Sequence, residues 1–118
     1  MSYQHETLDY VEYPAHDLTA TKAFFTAVFG WQFTDYGPDY TAFHRNRLEG
    51  GFYKSDKKSD SDKGAALLIF YSETLEATMQ KITSHGGVIK HEIFPFPGGR
   101  RFHFTCPSGN EFAIWSDK

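Results

Sequence analysis

The stretch from Asp17 to Phe33, DLTATKAFFTAVFGWQF, constrains this chain most, because the chain states it twice. At one constant offset, Leu18, Ala20, Thr21, Phe25 and Gly30 recur as Leu75, Ala77, Thr78, Ile82 and Gly87, so that LTAT becomes LEAT. Asp17 falls on Thr74, a second residue whose side chain suits a helix N-cap. An offset near half of the chain's 118 residues implies two copies of one supersecondary unit.

Each copy reads strand, helix, then three strands. In the first, alternation over Leu8–Pro14 predicts a strand ended by Pro14. Asp17 caps a helix over Leu18–Phe29, with Phe24, Phe25, Val28 and Phe29 on its apolar face and Gly30 at the left-handed stop. Strands follow at Trp31–Tyr36, Tyr40–Arg45 and Leu48–Lys54. Gly50-Gly51 in the last of these signals a bulge or a close backbone approach. The second copy begins with an uncharged strand, Ala65–Tyr71, as expected when both faces are covered. It continues with a helix over Thr74–His85 that buries Leu75, Met79 and Ile82 and is ended by Gly86-Gly87, and a strand over Val88–Phe94. A turn at Pro95–Gly99 leads to a hairpin of Arg100–Thr105 and Glu111–Ser116. The lead-in Met1–Thr7 reads as loose. Ser55–Lys63 contains no apolar residue and reads as an exposed, mobile linker. The expectation is one domain over residues 1–118, with modules at about 8–54 and 65–117 joined by 55–64. A domain of this size buries roughly 65% of its unfolded surface, enough for a core without staples. Two curved sheets, each backed by one helix, must pack to complete that core, and their concave faces leave a cleft for a small ligand.

Composition narrows the partners. Aromatic residues make up 18% of the chain, which suits a dense core or an aromatic-lined pocket. A net charge of -3 excludes the basic footprint that nucleic acid requires. No apolar run is long enough to span a membrane, and no signal peptide is evident. The single Cys106 cannot form an intrachain disulfide, so a reduced, cytoplasmic protein is expected.

The order of elements, with PAHDLTATKAFFTAVFGWQF near the start and CPSGNEFAIWS near the end, resembles the vicinal oxygen chelate superfamily. That superfamily includes glyoxalase I, extradiol dioxygenases, fosfomycin-resistance enzymes and bleomycin-resistance proteins. The first segment resembles its P-x-x-D-L…A-x-x-F-Y…V-F-G-W pattern. The second resembles its D-P-x-G-N hairpin, with Cys106 where Asp is usual. The resemblance implies an α+β fold of two βαβββ modules enclosing a cleft, often assembled as a homodimer. In enzymatic members a divalent metal is held by His, Gln or Glu from both modules. The resemblance puts those positions at Tyr10, at Leu67 (with Ala66 and Leu68 beside it), at Ala113 and near Glu49. Leu and Ala cannot bind a metal, and Tyr is an uncommon ligand. The implied branch is therefore metal-free and cofactor-free, with a cleft for an apolar or aromatic molecule.

Several residues admit two readings. His44 and His103 stand at matching places in AFHR and RFHF, and Glu12 shares a face with Tyr10. They suit a relocated two-His, one-carboxylate metal site of a lyase or dioxygenase, an acid-base pair, or half-exposed sheet positions. Arg100 and Arg101 follow a Gly pair and suit a carboxylate or phosphate, or plain solvation. Tyr71 and Trp115 suit stacking on a planar ligand, or core filling. Cys106 lacks a neighbouring base and reads as a turn residue, while His16 and His85 flank helix ends. The expected cleft lining is Tyr10, Glu12, His44, Leu67, Ile69, Tyr71, Arg101, His103, Ala113 and Trp115.

Overall fold

The first helix, α1 (Leu18–Phe29), forms where the repeat predicts it. Asp17 sits in extended backbone and its carboxylate accepts from the Ala20 N–H at 2.9 Å. Gly30 adopts a φ of 72°, and its N–H donates to the carbonyls that end the helix. The second helix, α2 (Leu75–Ser84), ends and begins differently from its copy. Thr74 makes no side-chain cap. Ahead of the helix, Ser72 accepts from the Thr74 N–H at 3.0 Å and pairs with the Thr78 hydroxyl at 2.7 Å. Gly86-Gly87 follows the helix end, with Gly86 in the left-handed conformation at φ 99°. Gly87 is needed for space instead, since a Cβ there would lie 2.4 Å from Ile82 Cγ2.

The computed structural model describes residues 3–118, so the start of the expected loose lead-in, Met1 and Ser2, lies outside the described residues. Two four-stranded sheets repeat one topology. β1 (Tyr10–Ala15), β2 (Gln32–Asp35), β3 (Tyr40–His44) and β4 (Glu49–Lys54) are ordered β1-β4-β3-β2. β5 (Leu68–Tyr71), β6 (Val88–Phe96), β7 (Gly99–Thr105) and β8 (Glu111–Ser116) are ordered β5-β8-β7-β6. The first strand of each sheet pairs parallel with the last, and the other pairs are antiparallel.

Three expectations shift. Pro14 does not end β1, which runs on to Ala15. An edge strand needs only alternate N–H groups for its single neighbour, so proline is tolerated there. The strand expected from Ala65 begins at Leu68. β6 extends through Pro95 to Phe96 on the outer edge of its sheet, with register irregularities around His91.

The segment without apolar residues is also not loose. It contains a 3-10 turn, Ser61–Lys63, capped by Asp60. The Ser59 N–H donates to Asn110 Oδ1 at 2.8 Å and the Ser61 N–H to Glu111 Oε1 at 2.8 Å. Lys90 Nζ reaches Asp60 and Asp62 at 2.8 and 3.1 Å. Its anchors are buried residues some fifty positions further along, which local composition cannot reveal.

Most of the aromatic content goes into one core shared by both units. Phe25 of α1 stacks on Trp31 at 4.5 Å, and reaches Phe52 of β4 at 5.5 Å and Phe112 of β8 at 5.4 Å. Phe29 stacks on Phe70 of β5 at 4.2 Å. Two buried polar ties also cross between units: Thr21 with Ser108 at 2.7 Å, and Asn110 Nδ2 donating to the Pro14 carbonyl at 2.6 Å. No helix among the described residues is long and apolar enough to cross a membrane.

Candidate ligand groove and polar relay

Strand alternation sorts the side chains. Tyr13, Phe43, Phe52, Phe102, Phe104, Phe112 and Ile114 enter the core. Their neighbours Tyr10, Glu12, His44, Arg101, His103, Ala113 and Trp115 therefore take the opposite faces. The edges β1 and β5 face each other across an open groove of about 1240 Å³. Tyr10, Glu49, Ile69, Tyr71 and Trp115 line it, over a floor that includes Trp31 and Phe112. Tyr10, Ile69 and Tyr71 remain 44%, 46% and 47% exposed. Tyr71 and Trp115 are neighbours in the β5–β8 ladder, with ring centroids 5.1 Å apart. The Tyr71 hydroxyl donates to Asp117 at 2.5 Å, and that bond, with some burial, pushes its pKa up to about 12.

Polar groups on the first sheet close on one another. Tyr40 donates to Glu12 Oε2 at 2.9 Å, and its hydroxyl meets that of Tyr10 at 2.5 Å. Desolvation first, then these two bonds, raises the Tyr40 pKa well above the usual phenol value. Gly51 makes this packing possible, since a Cβ there would lie 2.1 Å from Tyr40 Oη. His44 pairs with Thr34 at 3.1 Å and stands 3.6 Å from Glu49.

The second sheet carries a longer chain of contacts. Lys90 Nζ donates to Glu111 Oε1 at 2.9 Å, and Glu111 Oε2 meets His103 Nδ1 at 2.8 Å. His103 Nε2 lies 3.0 Å from Arg101 Nη2. A guanidinium can only donate, so Nε2 accepts and the ring proton is assigned to Nδ1, facing Glu111. Burial works to raise the Glu111 pKa, but hydrogen bonds from His103, Lys90 and Ser61 outweigh it and bring it down to about 2.

The sequence-predicted residues thus separate. Tyr10, Ile69, Tyr71 and Trp115 share the groove. Glu12 borders a smaller pocket of about 180 Å³ beside it. Leu67 precedes β5, and Ala113 is fully buried. His44 and Glu12 belong to the first sheet and His103 to the second, each with its own partners. The donors that gather within 4.8 Å among the described residues are instead His91, His103 and Glu111. Glu111, His91 and Lys90 escaped the sequence reading. One signal was available, since assigning the hairpin at Cys106–Asn110 puts Glu111 and His103 on one face of adjacent strands. Arg100 forms a two-pronged surface pair with Glu76. Burial pushes the Cys106 thiol up, the reverse of what a nucleophile needs.

The metal positions implied by the resemblance hold a phenol already bonded to Tyr40, an aliphatic Leu67, a buried Ala113 and one carboxylate, Glu49, beside His44. That set does not fit a divalent ion.

Two four-stranded sheets of repeated βαβββ topology around a cleft define the vicinal oxygen chelate class. Residues 7–114 match the family model of the Glyoxalase/Bleomycin resistance protein/Dioxygenase superfamily, and the chain belongs to that superfamily. Among solved structures it is similar to a glyoxalase-related enzyme from Fulvimarina pelagi, at 16% identity and TM-score 0.78, covering 94% of this chain and 88% of that one. It is similar to the fosfomycin resistance protein FosX from Listeria monocytogenes, at 18% identity and TM-score 0.77, covering 96% and 94%. It is also similar to lactoylglutathione lyase from Agrobacterium tumefaciens, at 18% identity and TM-score 0.70, covering 94% and 93%. These likenesses show the fold alone. No curated protein matches the sequence closely enough to count as a relative.

Proposed function

We propose that this protein binds a small apolar or aromatic molecule in the groove between its two modules, without the metal usual in the enzymatic members. The observation that carries this reading is the β1–β5 groove of about 1240 Å³ with Tyr71 and Trp115 edge to face on its wall. Offset and edge-on aromatic surfaces favour planar ligands. The replacement of metal-binding side chains by Tyr10, Leu67 and Ala113 supports the metal-free part. The working form is a homodimer in the cytoplasm, and sedimentation equilibrium should give twice the chain's 13.5 kDa.

Calorimetric titration with 2-naphthamide, a neutral planar probe, tests the reading. Saturable binding is expected, weakened at least tenfold by Trp115→Ala or Ile69→Asp. Absence of saturable binding to the unaltered protein refutes it.

A second reading, a lyase or dioxygenase with a relocated metal, has one observation in its favour, the gathered donors of His91, His103 and Glu111. Against it, Arg101 engages one ring nitrogen of His103 and Lys90 one oxygen of Glu111, so two cations already occupy the cluster. Metal analysis of protein purified without chelator decides between the two. One tightly held divalent ion per chain, lost on His103→Ala, establishes the second.

A further inference from the structure

We propose that Arg101 is an oxyanion subsite continuous with the groove, and that the ligand is a planar aromatic carboxylate. The inference rests on the groove reading above and names the chemistry of its occupant.

Arg101 lacks a counter-ion. Lys90 is surrounded by Asp60, Asp62 and Glu111, and Arg100 holds Glu76. No carboxylate lies within 4.0 Å of the Arg101 guanidinium among the described residues. Glu111, the acid of the relay, has its oxygens engaged by Ser61, Lys90 and His103. Arg101 Nε is buried and has no hydrogen-bond partner. Arg101 as a whole is half-buried, and a buried N–H without an acceptor costs free energy.

The fork is also held in place. His103 accepts from Nη2, and Glu111 fixes the His103 ring from its other side. The guanidinium carbon lies 5.7 Å from the Phe94 ring centroid and 5.8 Å from that of Phe96, so two aromatic faces frame the cation. A planar guanidinium fixed in this way matches a carboxylate with two parallel N–H donors, and fixing it beforehand lowers the entropy lost on binding.

The subsite joins the groove through Trp115. Arg101 and Trp115 are direct partners in the β7–β8 ladder. Phe96 lies 6.2 Å from Trp115, and Trp115 lies 5.1 Å from Tyr71, which with it lines the groove. The backbones of Trp115 and Arg101 stand one strand spacing apart, roughly 5 Å, with both side chains on one face of the sheet. One unshared positive charge suits a monoanion better than a phosphate dianion.

The test compares 2-naphthoate, 2-naphthamide and 2-naphthyl phosphate by calorimetry, with the intact chain. The unaltered protein should bind the carboxylate at least tenfold more tightly than the amide and more tightly than the phosphate. Arg101→Gln should abolish that preference by weakening carboxylate binding at least tenfold. Arg101→Lys, a second variant that keeps the charge, should retain part of it. Circular dichroism confirms that each variant is folded. Equal binding of carboxylate and amide by the unaltered protein overturns the Arg101 subsite and leaves the groove reading standing. Equal weakening of both ligands in Arg101→Gln does the same. Tighter binding of the phosphate overturns the carboxylate assignment. Absence of amide binding to the unaltered protein removes the groove reading, and this inference with it.

Discussion

Glu111 is 1% exposed and bonds to a lysine, a histidine and a backbone amide on three different segments. Its folded pKa of about 2 lies below the ordinary 4.5, because those bonds outweigh the opposing effect of burial. A depressed carboxylate stabilises the fold fully above its unfolded pKa and loses that contribution as pH falls through the folded one. The protein should therefore lose stability between about pH 4.5 and 2. Glu111→Gln should flatten that part of the acid titration and cost about 2–3 kcal/mol at pH 7, since Lys90 and His103 lose a charged acceptor. Urea midpoints followed across the pH range check both. If the variant keeps the full acid dependence, other carboxylates carry it. At this scale the sequence is partly legible: residue type marks His103 and Arg101 as polar groups able to bind, whereas Glu111 shows in the sequence only as the start of a strand. A carboxylate one strand away becomes a partner through register, which residue type alone does not encode.

Among the elements, the segment Ser55–Lys63 departs most from its local signal. Asn110 holds it through the Ser59 N–H and holds β1 through the Pro14 carbonyl. Removing this one buried amide leaves a donor and an acceptor without partners, each worth about 1–3 kcal/mol. Asn110→Ala should lower stability by roughly 2–4 kcal/mol and expose the Ser59 amide to rapid hydrogen exchange. Retained protection of that amide would show that the strap is held by other means. The helices were the most legible elements, because capping and apolar spacing are local. α1 matches its expected range, with the Asp17 cap and the Gly30 stop in place. α2 shows the limit of that argument. The repeat assigns a cap to Thr74, whose side chain makes no capping bond, while the Gly86-Gly87 end holds with the left-handed turn at Gly86.

Across the whole molecule, one aromatic core unites the two units. Phe25 belongs to the first and touches Phe112 of the second, so neither unit can open without exposing the other. Phe25→Ala should cost about 3–5 kcal/mol, and unfolding should remain a single transition in both proteins. Two separate transitions by fluorescence and circular dichroism would falsify the shared-core account. The groove follows from the same arrangement. β1 and β5 are both edges, and α1 packs its aromatic face beneath them while the facing edges stay unpaired.

Local chemistry in the sequence determined the repeat, the two helices, most strand positions and the family, because capping, periodicity and turn residues act over a few positions. Tertiary structure alone decided which polar residues meet. It parted His44 and Glu12 from His103, joined His103 to Glu111 and Lys90, and left Arg101 framed by Phe94 and Phe96 without an acid. Those pairings depend on strand register and on contacts between distant segments, and a shift of one residue turns every side chain to the opposite face.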